Sequence, residues 1–300
     1  MLKQSAVALN NQELKGHLIV FLTILTWGTT YVATKVLLQD FRPLEILVIR
    51  FVIGFIALCL IYPRRLPFSG WKQEGYFTAA GLSGITLYFL LENIALLYTQ
   101  AINVGIIIAV APLLTALCNM LFLGGAKPNA RFYLGFTLAM IGVILISLQN
   151  DQTLQLNPFG DLLAFLAALV WAVYSTLMKK ISEFGHRTLQ TTRRTFLYGL
   201  IFMLPLVGFT GFNLPLNKLL LPHNLLNILF LGLCASSICF VSWNYSVKIL
   251  GTVKTSLYIY LVPVITVISA VWLLNEKLTA LAAIGIVFTL LGLGISERKR

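Results

Sequence analysis

One carboxylate stands out for its surroundings. Glu92 lies among Leu90, Leu91, Ile94 and Ala95 in a long apolar stretch, with Tyr88 one helical turn before it. An ionisable group in a bilayer interior is costly, so it is paired, hydrated in a cavity, or used. Two roles follow for Glu92. It is either a proton-coupling acid that can also meet a substrate ammonium, or the structural partner of Arg50. That arginine falls at a similar depth in the preceding apolar stretch. For Arg50 itself, holding backbone carbonyls or Glu92 is favoured over direct substrate contact.

Aromatic residues with polar tips form a second constellation. Trp27 and Tyr31 share one helical face with Thr34, and Trp171, Tyr174 and Ser175 make a corresponding stripe. With small or hydroxylated neighbours, these side chains suit the wall of a cavity for an amphipathic solute. Tyr88, Glu92 and Asn93 join them, as do Asn244 and Tyr245. Tyr62, Trp71 and Tyr76 instead read as interfacial belt residues. Pro112 and Pro263 fall inside apolar runs, where each removes a backbone hydrogen bond and favours a kink that can act as a hinge.

Enzymatic readings find little support. Gly81-Leu82-Ser83-Gly84 matches the G-x-S-G of intramembrane serine proteases, but a serine nucleophile needs a base, and His17, His186 and His223 fall at or beyond the ends of the apolar runs. There is no H-E-x-x-H and no P-loop. Cys59, Cys118, Cys234 and Cys239 lack metal-ligand spacing and read as packing residues, so no metal and no cofactor is expected.

These residues need elements to position them. With 58% hydrophobic and 11% charged residues, the chain has too little polar surface for a soluble fold, where about 25% charge is usual. Ten apolar segments near the length of a bilayer crossing are expected at 16–36, 43–62, 74–97, 102–123, 131–148, 160–179, 193–211, 224–247, 254–274 and 278–296. The expected fold class is therefore an all-α integral membrane protein. The polar, mixed-charge start of the chain does not read as a cleavable signal.

The pattern is written twice. Trp27-Gly28-Thr29-Thr30-Tyr31 leading to Lys35 recurs as Trp171-Ala172-Val173-Tyr174-Ser175 leading to Lys179. Pro112 and Pro263, and Gly142 and Gly292, also stand at matching places. Internal repetition in a membrane chain points to transporter architecture with a substrate site between related halves. The halves are 1–150 and 151–300, five segments each. Five is odd, so the second half enters from the opposite face and the repeat is inverted. Basic residues fall in alternate loops, among them Arg64, Arg65, Lys72, Lys127, Arg187, Arg193 and Arg194, which places both termini in the cytoplasm. The net charge of +12 thus reflects topology and contact with anionic lipid, and no nucleic-acid partner is expected.

At this point the chain resembles a family. Trp27-Gly28, Pro43 followed by Arg50, Ala95-Leu96-Leu97-Tyr98-Thr99 before Pro112, and Leu274-Asn275-Glu276-Lys277-Leu278 before the last segment occur in the order and spacing of the EamA type of the drug/metabolite transporter superfamily. The family's usual acid after the fourth helix is missing, since the chain reads Leu123-Gly124-Gly125-Ala126. The resemblance implies an inner-membrane secondary carrier that exports amino acids or other small metabolites. Its partners would be a small-molecule substrate and membrane lipid, with a coupling proton as well where Glu92 is the coupling acid and not the partner of Arg50. A passive channel or a structural membrane protein is the alternative, and a channel would show a polar stripe along one pore. Substrate, direction of transport and oligomeric state do not follow from the sequence.

Overall fold

The computed structural model describes residues 2–99, 101–148, 157–209, 212–274 and 278–297, excepting the side chains of residues 2–10, 31, 32, 35, 96, 101, 102, 270, 273 and 274. The described residues are almost wholly helical and include no strand. In chain order the helices are α1 (Leu2–Leu37), α2 (Pro43–Ile61), α3 (Trp71–Ala80), α4 (Tyr88–Tyr98), α5 (Ala101–Ile108), α6 (Ala111–Leu123), α7 (Ala130–Ser147) and α8 (Pro158–Ser182). They continue with α9 (Thr188–Phe209), α10 (Leu216–Leu219), α11 (Pro222–Leu229), α12 (Cys239–Leu250), α13 (Thr252–Leu257), α14 (Leu261–Leu274) and α15 (Ala280–Glu297). Two π-helical segments, π1 (Gly81–Leu87) and π2 (Phe230–Ile238), join α3 to α4 and α11 to α12.

Eight helical stretches are long and apolar enough to cross a membrane, beginning at Pro43, Trp71, Asn103, Ala130, Pro158, Pro222, Thr252 and Ala280. Each overlaps one of the ten expected segments. The other two, 16–36 and 193–211, fall on α1 and α9, helices of 36 and 22 residues that are not among the eight.

Local chemistry sets the ends. Pro43 occupies the first turn of α2, where its missing N–H costs nothing, and the Glu45 carboxylate accepts the Arg42 N–H at 2.7 Å. Asn129 caps α7 by accepting from the Phe132 N–H at 2.9 Å. Gly124 ends α6 at φ +63°, a conformation that favours glycine. The two prolines expected to kink helices stand where the α-helical pattern is interrupted. Pro112 stands in the first turn of α6, just after α5 stops at Ile108, and Pro263 follows the short 3-10 turn Tyr258–Tyr260 that interrupts α13 and α14. A proline has no N–H to donate and its ring crowds the carbonyl one turn back, so the regular α-helical bonding is interrupted before each.

The chain forms two compact units, residues 1–90 with 177–251, and residues 91–176 with 252–300. Neither coincides with a sequence half. In the first unit, α1 packs along π2 and α12. Ser246 Oγ donates to the Gly16 carbonyl at 3.2 Å, and further along Trp27 Nε1 donates to the Ala235 carbonyl at 3.0 Å. Residue numbers rise along one partner as they fall along the other, so the two run antiparallel. In the second unit, α7 and α15 approach through glycines. Gly135 lies against Gly292 and Ser296, and Gly142 lies against Gly285 and Thr289, again antiparallel. Small residues let the two backbones come this close.

Candidate functional site

In the first unit, Arg50 is the most conspicuous side chain. It projects from α2 two turns past Pro43 and is buried. Its Nε donates to Ser236 Oγ at 2.9 Å. The guanidinium lies 5.1 Å from the Phe89 ring and 5.5 Å from the Phe51 ring. Phe51, Phe89, Phe196 and Phe240 stack edge to face around it, with Phe51 within 5.1–5.7 Å of the other three. A guanidinium taken from water recovers part of its hydration through such rings and through a hydroxyl acceptor.

Trp27 is half-buried rather than open. Its indole N–H is used on the Ala235 carbonyl, and its ring lies 5.3 Å from Trp243 and 5.8 Å from Phe240. Ala235 belongs to π2, so this bond ties α1 to the π segment. Asn244 is buried and donates through Nδ2 to Thr192 Oγ1 of α9 at 3.0 Å, while Tyr245 beside it is half-buried. Tyr88 is half-buried, with its ring 4.9 Å from Phe89. The side chain of Tyr31 lies outside the described residues.

In the second unit, Glu92 and Asn93 are half-buried on α4. Trp171 and Tyr174 are buried on α8, their rings 5.2 Å apart. The structure thus groups Trp27 with Trp243 and Phe240, Arg50 with Phe89 and Ser236, and Trp171 with Tyr174. Arg50 belongs to the first unit and Glu92 to the second. Ser83, the candidate nucleophile, donates to the Ala79 carbonyl of its own helix at 2.7 Å.

Sequence reasoning passed over three features. Glu74 of α3 is buried, accepts both Nε (3.1 Å) and Nη2 of Arg194, and also accepts from the Tyr198 hydroxyl. Opposite charges at the ends of two expected segments were the available signal. Asp161 accepts from Thr99 Oγ1 at 2.8 Å and from the Asn157 N–H at 3.1 Å, and Asn103 Nδ2 adds a 3.1 Å bond to Thr99. The π segments were the third.

The π segments match across the repeat. Gly81–Leu87 displaced by 151 residues, the step that relates Pro112 to Pro263, gives 232–238, inside π2. Their surroundings match too. A Cβ on Gly81 would meet the Thr195 carbonyl and the Gly199 nitrogen of α9, both at 2.7 Å. A Cβ on Gly232 would meet Ile53 Cγ2 at 2.6 Å and the Arg50 carbonyl at 3.3 Å on α2. The polar tie is different in each copy: Thr86 Oγ1 donates to the Gly199 carbonyl at 2.9 Å on one side, while Arg50 reaches Ser236 on the other.

Comparison with known proteins adds the relationships. The sequence profile described as the EamA-like transporter family matches residues 14–148 and again 158–297. An uncharacterised transporter of Archaeoglobus fulgidus is 29% identical over 95% of this chain and 98% of its own length. A probable terminal-alkyne amino-acid exporter of Streptantibioticus cattleyicolor is 25% identical, covering 93% of this chain and 92% of its own. A probable amino-acid metabolite efflux pump of Escherichia coli is also 25% identical, over 94% of both chains. A crystal structure with 20% identity superposes with a TM-score of 0.76 over 94% of this chain and 96% of that one, a likeness of fold.

Proposed function

The chain belongs to the EamA-like transporter family, matched over both of its halves, and from that premise we propose that it is a secondary transporter that exports amino acids or similar small amphipathic metabolites. The family match to both halves carries the reading. The exporter and efflux-pump names of the two relatives favour export and an amino-acid class of solute.

The proposed architecture is ten crossings in two inverted repeats, 1–150 and 151–300, with both termini in the cytoplasm of a cell whose inner membrane holds the protein. The packing of α7 on α15 supports the inversion. Gly142 with Gly285 and Thr289, and Gly292 with Gly135 and Ala139, are the same contact displaced by 150 residues, made by equivalent helices running in opposite directions. A two-fold axis in the membrane plane produces that relation.

Transport proceeds by alternating access. The helix interruptions before Pro112 and Pro263 are equivalent in the two halves and supply matched points of flexure. Trp27, Tyr31, Tyr88, Asn93, Trp171, Tyr174, Asn244 and Tyr245 are the proposed substrate contacts. Glu92 is the proposed coupling acid, or else pairs structurally with Arg50. Arg50 itself has a structural role, because Ser236, Phe51 and Phe89 already surround its guanidinium.

The test is amino-acid release. Cells producing the chain are loaded with amino acids as dipeptides, and the medium is followed by mass spectrometry. Faster release of particular amino acids than from cells producing Trp171→Ala is the expected result. Equal release of every amino acid by producing and non-producing cells would remove them from the substrate class.

A further inference from the structure

The connection between α2 and α3 has no regular structure, yet it is tightly held. Arg193 of α9 donates to the carbonyls of Tyr62 and Arg64, both at 2.6 Å. Gln190 reaches the carbonyls of Arg64 and Arg65 at 3.2 and 3.4 Å. Leu66 is buried, and Pro63 and Pro67 restrict the backbone on either side of it. With carbonyls and Leu66 committed to the protein, the side chains of Arg64 and Arg65 are exposed.

The next residues expose what a water-facing loop normally hides. Phe68 is 56% and Trp71 84% exposed, and their rings meet edge to face at 5.3 Å. Lys72 beside them is exposed, and exposed Arg187 lies over the Tyr62 ring at 5.1 Å. Four exposed cations and an exposed aromatic pair are thus carried by one short loop, whose backbone is held by α9, and by Arg187 packed on it. Aromatic rings favour the headgroup level of a bilayer, and clustered Lys and Arg favour its anionic lipids. Arginine in particular matches the geometry of a phosphate.

We propose that the 62–72 loop, with Arg187, is a docking surface for an anionic phospholipid headgroup. Phe68 and Trp71 enter the interface, and Arg64, Arg65, Lys72 and Arg187 surround the phosphate. The proposal rests on the reading of the chain as membrane-spanning, with this loop on the cytoplasmic side. It is independent of any solute carried.

The full chain in nanodiscs of phosphatidylcholine with a minor share of phosphatidylglycerol provides the test. Either lipid is supplied with dibrominated acyl chains, and quenching is compared between the native protein and Trp71→Phe, which isolates Trp71. The expected result is stronger quenching of Trp71 by brominated phosphatidylglycerol than its bulk share gives. That preference falls about fivefold for each cation removed among Arg64→Gln, Arg65→Gln and Lys72→Gln. Arg187→Gln alone serves if the triple variant loses its helical circular dichroism. Quenching in proportion to bulk composition overturns the proposal. So does loss of the preference in inorganic phosphate but not in chloride of equal ionic strength, which would make free phosphate the ligand. Because no substrate enters the assay, failure here is distinct from failure to transport.

Discussion

The contact between α7 and α15 can be broken by a single methyl group, and the repeat says it should break equally from either side. A Cβ on Gly142 would stand 2.5 Å from the Thr289 nitrogen and 2.6 Å from the Gly285 carbonyl. On Gly292 it would stand 2.6 Å from the Gly135 carbonyl and against the Ala139 nitrogen. These neighbours are backbone atoms, which cannot swing aside, so the helices must part by about 1 Å to restore ordinary separation. Overpacking of this kind costs about 3 kcal/mol at the upper end of its range. Alanine returns about 1 kcal/mol of helix propensity, leaving a net loss of about 2 kcal/mol. Gly142→Ala and Gly292→Ala should therefore each lower the thermal midpoint by about 5 °C. Gly294→Ala, with nothing within 4 Å of the added carbon, should leave it unchanged or raise it. The assay is thermal unfolding of the purified protein in one detergent, followed by helical circular dichroism. Unchanged midpoints for Gly142→Ala and Gly292→Ala would refute the close antiparallel packing. A large effect at one glycine with none at the other would refute the equivalence of the two contacts.

Other outcomes follow from single contacts. Ser236→Ala removes the acceptor of the Arg50 Nε and should cost about 2 kcal/mol in a denaturation midpoint, the usual worth of a hydrogen bond to a charged group; no change would mean that Ser236 does not hold the guanidinium. Glu74→Leu leaves Arg194 and the Tyr198 hydroxyl without their carboxylate and should cost about 3 kcal/mol, with Glu74→Leu/Arg194→Leu recovering part of the loss, whereas additive single effects would deny the coupling. In the loop between α1 and α2, hydrogen bonds from Asn224 (2.9 Å) and Lys218 (3.0 Å) hold the Asp40 carboxyl below the usual carboxylate range. A lowered pKa stabilises the fold above the unfolded value and withdraws that stability as pH falls through the folded one. Acid titration of the unfolding midpoint should show a component that Asp40→Asn abolishes, and identical acid profiles would contradict it.

Eight of the ten expected segments were legible as helices long and apolar enough to cross a membrane, because apolar runs of bilayer length admit few other structures, and the duplication was legible in Trp27 and Trp171, Pro112 and Pro263, Gly142 and Gly292. That Gly135 and Ala139 meet α15 was not legible, since the sequence does not say which helix packs on which. The π segments left no trace in composition, since Gly81-Leu82-Ser83-Gly84 serves an α-helix equally well. The prolines were read as kinks, and the α-helical pattern is interrupted just before each of them, because a proline leaves a carbonyl of the preceding turn without its N–H donor. Arg194 was read only as a loop cation and Glu74 was passed over, because only folding brings the two together. Trp27 was legible as a special residue, but its bond to the Ala235 carbonyl, 208 residues along the chain, arises only where α1 packs on π2.

The central claim is carriage of a small solute across the membrane, and counterflow in proteoliposomes tests it most directly. Vesicles preloaded with a pool of amino acids and related metabolites are diluted into labelled solute, with and without an imposed pH gradient. The account predicts transient accumulation of one solute class, driven by the internal pool, and loss of any response to the gradient in Glu92→Gln. Exchange that keeps its full gradient response in Glu92→Gln would remove Glu92 from coupling. Label that equilibrates without accumulating, at a rate indifferent to the internal pool, would contradict the carrier and describe a channel instead.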